Sequence, residues 1–172
     1  MKINTLEDLL TDELKDLYSA ENQMVKALPK MAKTVQSKEL RAAFEEHLRQ
    51  THNQVERIEQ VARDLGVSPK GKKCVGMEGI IEEGKEIMTA GAELSPMEAG
   101  MIGAAQKAEH YEIAGYGTAI AHARQLGFNN VASILEETLE EEKMTDEKLT
   151  KIAENQVNVQ AAMQEDMNMV EE

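Results

Sequence analysis

The sequence has few of the residues that build sheets, form disulfides or bind nucleic acid. Aromatic residues make up 3% of the 172 positions and tryptophan is absent, which favours helices over sheets. The single cysteine, Cys74, excludes an intrachain disulfide and suits a reducing compartment. With 19 basic and 32 acidic residues the net charge is −13, so the phosphates of a nucleic acid would be repelled.

Signals for membrane insertion and secretion are also missing. No apolar run approaches the roughly 20 residues that a membrane-spanning helix needs. The first segment, MKINTLEDLLTDEL, carries acids where a signal peptide needs an apolar core. We therefore expect a cytoplasmic protein with neither nucleic acid nor membrane as partner. The length suits a single domain over residues 1–172.

What the sequence does contain is apolar residues at helical spacing, with 41% hydrophobic residues and 11 methionines among them. This spacing predicts long helices over about 5–36, 38–65, 96–126 and 130–154, a short helix over 77–89 and a helical tail over 156–170. Thr5, Ser37, Ser95 and Asn129 or Asn130 are the predicted caps. Pro29 is expected to kink the first helix or split off its last turns, and Asn155 to interrupt the last.

The order of these helices predicts an all-α fold. Short links make the first two long helices antiparallel, and likewise the last two. The long connection in the middle lets the third long helix start at the same end as the second. The pattern therefore indicates a four-helix bundle with one crossover that contains the short helix, which is the ferritin-like arrangement.

Each long helix carries polar groups within its apolar stripe. At about 100° per residue, the inward positions are Glu21 on the first helix, His47, Thr51 and Gln54 on the second, and Glu109, Glu112 and Tyr116 on the third. On the fourth, Glu141 and Glu142 straddle the stripe, and Glu141 is the preferred inward residue. Four helices with acids or histidine at mid-height are typical of a metal site.

The chemistry of these groups favours iron or manganese. A buried carboxylate costs free energy unless a positive charge compensates it. A pair of such ions prefers hard carboxylate oxygens together with an imidazole. We therefore predict ligands among Glu21, His47, Gln50, Glu109, Glu112 and Glu141, with Gln54, Tyr116 and Glu142 beside them as hydrogen-bonding support.

Each group also has a structural interpretation. A single acid on an apolar stripe most often marks a helix edge or pairs with a lysine or arginine across the bundle. His47 can be a core histidine bonded to Thr51 or to a carboxylate. The basic neighbour of Cys74 lowers the pKa of a thiol, yet a lone loop cysteine is usually inert. The coincidence on four helices favours a shared site.

Five segments, which follow one another through nearly the whole chain, are LYSAENQMVKALPKMA, FEEHLRQTHNQVERIE, KKCVGMEGIIEEGKE, AQKAEHYEIAGYGTAIAHARQLG and LEETLEEEKMTDEKLT. They resemble the YciF/YciE family of bacterial stress-associated, ferritin-like proteins. The resemblance implies a ferritin-like bundle, a homodimer and a di-iron-type site without an established reaction. It matches the family at Glu21, Glu109, Glu112, Glu141 and Glu142.

The second helix departs from this family. Family members tend to read His-Leu-x-Glu-Thr, whereas residues 47–51 read HLRQT, so Gln50 stands where the ligand glutamate is expected. The Glu-x-x-His motif of ferritin-like oxidases occurs nowhere in the sequence. Because an amide is a weaker ligand and brings no negative charge, we expect weaker metal binding, a single ion or no metal.

Two functions remain open at this point. The first is a redox metalloprotein that handles oxygen or peroxide under stress. Its ligands would be Glu21, His47, Glu109, Glu112 and Glu141. The second is a non-enzymatic structural or stress protein that keeps the bundle but has a degraded site. Convergence of the inward carboxylates in the structure is the observation that separates them.

Overall fold

The computed structural model describes residues 3–163, and this part of the chain is helical, without a strand. The helices are α1 (Leu6–Thr34), α2 (Lys38–Asp64), α3 (Val75–Thr89), α4 (Leu94–Gln125) and α5 (Asn129–Ile152). A π-helical turn, Ala153–Val157, extends α5. The prediction of an all-α fold is confirmed. None of the helices in the described part has the length and apolar character needed to cross a bilayer.

The first two helices begin at their predicted caps. The Thr5 hydroxyl accepts from the backbone N–H of Asp8, and the Asp8 carboxylate accepts from the Thr5 N–H in return. The hydroxyl of Ser37 accepts from the N–H of Leu40 in the same way. These bonds satisfy N–H groups that a helix leaves without an intrahelical partner.

The starts of α4 and α5 differ from the prediction. Helix α4 begins at Leu94, so Ser95 lies inside the first turn and the cap position falls to Glu93. Helix α5 begins at Asn129 with Phe128 at the cap position, and neither of these helices has a side-chain cap. Packing of the apolar stripes, and not the capping residue, therefore sets where these two helices start.

Neither predicted interruption separates a helix into two: Pro29 does not split off the last turns of α1, and the chain remains helical through Asn155. Helix α1 runs through Pro29 to Thr34, and the buried Leu28 and Ala32 hold its last turns against the core. The expected break at Asn155 is a π-helical turn, after which the chain continues as helix to residue 163. The rest of the predicted tail, residues 164–170, lies outside the described residues.

The four long helices enclose one core. Helix α1 packs on α2, α2 on α5, α5 on α4 and α4 on α1, while α3 lies against α1 and α4. Ion pairs show that α2 and α5 are antiparallel, since Glu46 near the start of α2 pairs with Lys148 near the end of α5. Arg57 and Glu141 form the next pair along these two helices.

The core consists of two apolar clusters separated along the helix axes. One includes Met24, Leu28, Leu40, Phe44, Met101 and Leu149, and the other includes Leu10, Leu14, Leu17, Ile58, Ile120 and Leu135. On every long helix the inward polar groups fall between these two sets in sequence. The fold therefore places them together at mid-height, with apolar side chains above and below.

Candidate metal centre

Five ionisable side chains occupy the level between the two apolar clusters. They are Glu21 on α1, His47 on α2, Glu109 and Glu112 on α4, and Glu142 on α5, and none is more than 2% exposed. On α1, Leu17 and Met24 lie one turn either side of Glu21 and are themselves buried. The burial of these apolar neighbours forces the carboxylate inward, because residues three or four apart share a helix face.

The imidazole of His47 faces the carboxylates. Its Nε2 lies 3.2 Å from Oε1 of Glu109 and 3.8 Å from Oε2 of Glu142. His47, Glu109, Glu112 and Glu142 each offer one ligand atom, and these atoms all lie within 4.8 Å of one another. Side chains from three helices thus converge on one small volume.

The other ring nitrogen of His47, Nδ1, contacts a hydroxyl group. Nδ1 lies 3.4 Å from Oγ1 of Thr145, and that hydroxyl donates to Oε1 of Gln50 over 3.5 Å. A ring with its hydrogen on Nδ1 fits this order of donors and acceptors and leaves the Nε2 lone pair toward the acids. Thr51 does not contact the ring in this way, since its hydroxyl donates to the backbone carbonyl of His47.

Glu21 adds a further carboxylate from α1. Tyr116 donates a hydrogen bond to its Oε1, and its Oε2 has no partner. Burial and the charge of Glu21 raise the pKa of Tyr116, so the phenol remains a donor. Of the three tyrosines in the sequence, this is the one placed at the cluster.

Burial raises the pKa of all four cluster glutamates. The pKa of Glu109 rises to about 8. For Glu112 the charges of Glu21 and Glu142 add to the effect of burial, and Glu142 is raised by burial and then by Glu109. Acids brought together in a low dielectric cannot all ionise unless a cation joins them.

Most oxygens of this cluster lack a hydrogen-bond donor among residues 3–163. No N–H or hydroxyl group there donates to either oxygen of Glu109, Glu112 and Glu142 or to Oε2 of Glu21. Buried polar groups in proteins are normally hydrogen-bonded. Two divalent cations carry as much positive charge as these four carboxylates carry negative charge. The donor set, carboxylates with one imidazole, therefore fits iron or manganese.

The preference for Glu141 over Glu142 as the inward residue is wrong. Glu142 is fully buried in the cluster, whereas Glu141 is partly exposed and forms a two-pronged ion pair with Arg57. The N–O distances of this pair are 2.7 and 2.9 Å. Arg57 reaches from α2 and draws Glu141 out of the bundle centre. Arg57 lies three residues after Gln54 on the same face of α2. This spacing was the feature of the sequence that could have indicated an ion pair with Glu141.

Gln50 and Gln54 of α2 have different surroundings from those expected. Gln50 is partly exposed and contacts Thr145, and it is not in the group of four converging ligands. Gln54 is buried and donates to Oε2 of Glu141 over 3.0 Å. It therefore supports the ion pair with Arg57 beside the cluster.

Cys74 lies in a second buried polar group, near the start of α3. Its Sγ caps α3 and contacts Oδ2 of Asp16 at 3.0 Å, an atom that also accepts from the hydroxyl of Tyr111 at 2.5 Å. Burial raises the pKa of the thiol, which reverses the lowering expected from its basic neighbour. The third tyrosine, Tyr18, bonds Glu59 and takes no part in either group.

Comparison with known proteins places this chain in a family. Residues 5–162 match the family described as "Domain of unknown function (DUF892)". Protein YciF of Escherichia coli (strain K12) is 48% identical over 162 residues, which cover 94% of this chain and 98% of YciF.

Solved structures of related proteins match the fold of this chain. The crystal structure of the E. coli stress protein YciF matches with a TM-score of 0.87 over 91% of this chain and 99% of that one. YcfI from Rhodopseudomonas palustris matches with a TM-score of 0.86 at 41% identity, over 88% of this chain and 97% of that one. The chain therefore belongs to the DUF892 family and is a homologue of the stress protein YciF, in agreement with the resemblance in its sequence.

Proposed function

We propose that this protein is a stress-associated, ferritin-like metalloprotein that binds a pair of iron or manganese ions at Glu21, His47, Glu109, Glu112 and Glu142. The long helices would form the ferritin-like bundle, with α3 as part of the crossover. Ions of this kind supply redox chemistry with oxygen or peroxide. The proposal extends the homology with a stress protein, since that relation by itself names no ligand.

The observation that carries the proposal is the set of carboxylate oxygens without donors. Seven such oxygens on four glutamates are buried together. Burial of an isolated carboxylate costs several kcal/mol. The summed cost for several such groups is of the order of the whole free energy of unfolding of a domain. A cation is the simplest partner that serves all of these oxygens at once.

Different residues of the chain would have different roles at this centre. Glu109, Glu112 and Glu142 supply negative charge within 4.8 Å of the imidazole. Thr145 fixes the ring of His47 so that Nε2 points toward the acids. Tyr116 orients Glu21 and can hold a proton beside it. The apolar clusters at either side exclude water from this level.

The direct test is metal analysis of the full chain expressed with added iron or manganese. We expect the wild type to retain one or both metals after desalting, and Glu112→Gln to lose most of the metal. The matched control is Glu98→Gln, because Glu98 is also a buried glutamate of α4 but accepts from the N–H groups of Gln36 and Ser37. Metal-free wild type, or equal metal in both variants, would overturn the proposal.

A second candidate is a non-enzymatic structural or stress protein. The observation that favours it is Gln50, a partly exposed amide where the family tends to have a glutamate. Oxygen and peroxide consumption by the metal-loaded wild type separates the two functions. Turnover that Glu112→Gln abolishes supports the redox function, and bound metal without turnover supports the second candidate.

The resemblance also leads us to propose a homodimer in the cytoplasm. Cys74 is a buried free thiol, which suits a reducing compartment. Light scattering at micromolar concentration tests the assembly. A mass near twice the 19.1 kDa of one chain is expected, and a monomer would contradict the proposal.

A further inference from the structure

A cavity of about 200 Å³ lies between α1, α3 and α4, outside the carboxylate cluster. Its walls are apolar and rich in flexible side chains, with Met24 and Met31 from α1, Ile80 and Met88 from α3, and Met101 from α4. Methionine adapts its shape to irregular ligands. An apolar cavity of about 150 Å³ already holds a benzene-sized molecule, so this one has room for an alkyl segment.

Three lysines line the same cavity. Lys26 and Lys30 are one turn apart on α1, and Lys85 faces them from α3. Lys85 pairs with Glu82, but within residues 3–163 no carboxylate pairs with Lys26 or Lys30. This cationic rim stands out on a chain with a net charge of −13. An anion would therefore be attracted here and repelled by most of the remaining surface.

We propose that this cavity binds a single-chain amphiphile with a carboxylate head, such as a medium-chain fatty acid. The alkyl chain would pack among the methionines and isoleucines. The carboxylate would lie at the rim between Lys26 and Lys30, whose long side chains keep their ammonium groups in water while their stems cover apolar surface. The volume is too small for the two acyl chains of a membrane lipid.

The site is separate from the proposed metal centre. Ala105 and Ala108 line the cavity and precede Glu109 and Glu112 by one helical turn. The three lysines are exposed, so a carboxylate head bound to them would lie at the solvent side of the cavity, whereas the acids of the metal centre are buried. Binding should therefore not depend on metal, and failure of either proposal can be recognised independently of the other.

The test is isothermal titration of the full chain with decanoate below its critical micelle concentration. We expect one saturable site per chain. Affinity should rise about threefold to fourfold for each methylene added from hexanoate to decanoate, because each buried methylene contributes a similar increment. Decyltrimethylammonium, with the same chain and a cationic head, should not bind.

Three variants locate the site. Lys26→Glu/Lys30→Glu should weaken decanoate binding by about tenfold or more. Lys38→Glu/Lys70→Glu makes the same change of net charge at exposed positions outside the cavity and should bind like the wild type. Ala27→Met fills the cavity from its α1 wall without a charge change and should also weaken binding. Circular dichroism confirms that each variant is folded.

Several results would overturn this proposal. They are the absence of saturable binding, equal binding of the cationic amphiphile, and equal effects of the two lysine double variants. Loss of decanoate binding after chelation would assign the carboxylate to the metal centre. Binding to anionic phospholipid vesicles with no binding of free decanoate would indicate a membrane surface as the ligand.

Discussion

Helix α4 buries Glu98 and Glu112 in different ways. Glu98, near its start, is 3% exposed, and its Oε1 accepts hydrogen bonds from the backbone N–H groups of Gln36 and Ser37, at the start of α2. Glu112, in the middle of the helix, is fully buried, and neither of its oxygens has a donor. Residues 3–163 supply hydrogen-bond donors to Glu98 and none to Glu112.

Asp16 is a third buried acid, and the fold stabilises its charge with hydrogen-bond donors and a lysine. Burial by itself would raise the pKa of Asp16, but hydrogen bonds from Cys74 and Tyr111 and the ammonium of Lys72 outweigh burial and lower the pKa. At Glu112 burial and the neighbouring acids raise the pKa. The proposed metal centre accounts for this difference, since a cation from outside the chain would neutralise the acids of the cluster.

Addition of metal should have the largest effect on the difference between Glu98 and Glu112. Mn²⁺ in excess should raise the free energy of unfolding of the chelator-treated wild type by about 4 kcal/mol when its free concentration is about 1,000 times Kd. Thermal unfolding with and without Mn²⁺ measures the change. Glu98→Gln should show the same shift, and Glu112→Gln should show little. Equal shifts in both variants would argue against the cluster as the binding site.

The pH dependence of the metal-free protein should be the next largest effect. Burial raises the pKa of Glu109 to about 8, above its ordinary value of 4.5. Between these values the folded state holds a proton that the unfolded state has released, so the free energy of unfolding falls as pH rises. The contribution of Glu109 to this loss should be of the order of 3 kcal/mol between pH 5 and pH 8.

Urea unfolding at several pH values, with chelator present, measures this slope. Glu109→Gln removes one of the four acids with a raised pKa and should make the slope shallower by the contribution of Glu109. A wild type whose stability is constant or increases over this range would contradict the prediction.

Replacement of each glutamate by methionine should separate the two environments in opposite directions. Glu112→Met removes a carboxylate without a partner and should stabilise the metal-free protein by about 1–3 kcal/mol. Glu98→Met leaves the N–H groups of Gln36 and Ser37 without an acceptor and should destabilise it by about 1–3 kcal/mol. Urea unfolding in chelator compares the two variants. The contrast fails if both substitutions change stability in the same direction.

The smallest effect is expected from Gln50→Glu. Gln50 is partly exposed and accepts from Thr145 at the edge of the cluster, so a carboxylate there would act mainly through the orientation of Thr145 and His47. Manganese affinity should change by less than about threefold, below the roughly tenfold to hundredfold effect of removing a direct partner of a ligand, because Thr145 lies between Gln50 and His47. A tenfold increase, measured by competition with a chelator, would show that the glutamine is the cause of weak binding.

Periodicity predicted most of the helices, because burial of an apolar stripe determines where a helix can lie. It did not distinguish Glu141 from Glu142, since both lie three or four residues from Thr138 and Thr145 on the stripe of α5. The choice is made by Arg57, which comes from another helix and pairs with Glu141. An orientation decided between helices cannot be read from the period of one helix.

The buried partnerships of Cys74 and Glu98 were also outside the reach of sequence patterns. Cys74 lies in a stretch rich in lysine and glycine, which is typical of an exposed loop. Its burial follows from the docking of α3 against α1 and α4, where Asp16 and Tyr111 receive it. Glu98 is buried against the start of α2, where its carboxylate accepts from the N–H groups of Gln36 and Ser37.

The division of the cluster among helices has a consequence for the order of folding. The α1–α2 pair contributes Glu21 and His47, and the α4–α5 pair contributes Glu109, Glu112 and Glu142. Each pair can form early from contacts that are close in sequence, but neither contains the complete ligand set. The acids repel each other when the two pairs meet. A cation bound after this encounter would hold the pairs together, so it should slow their separation more than it speeds their assembly.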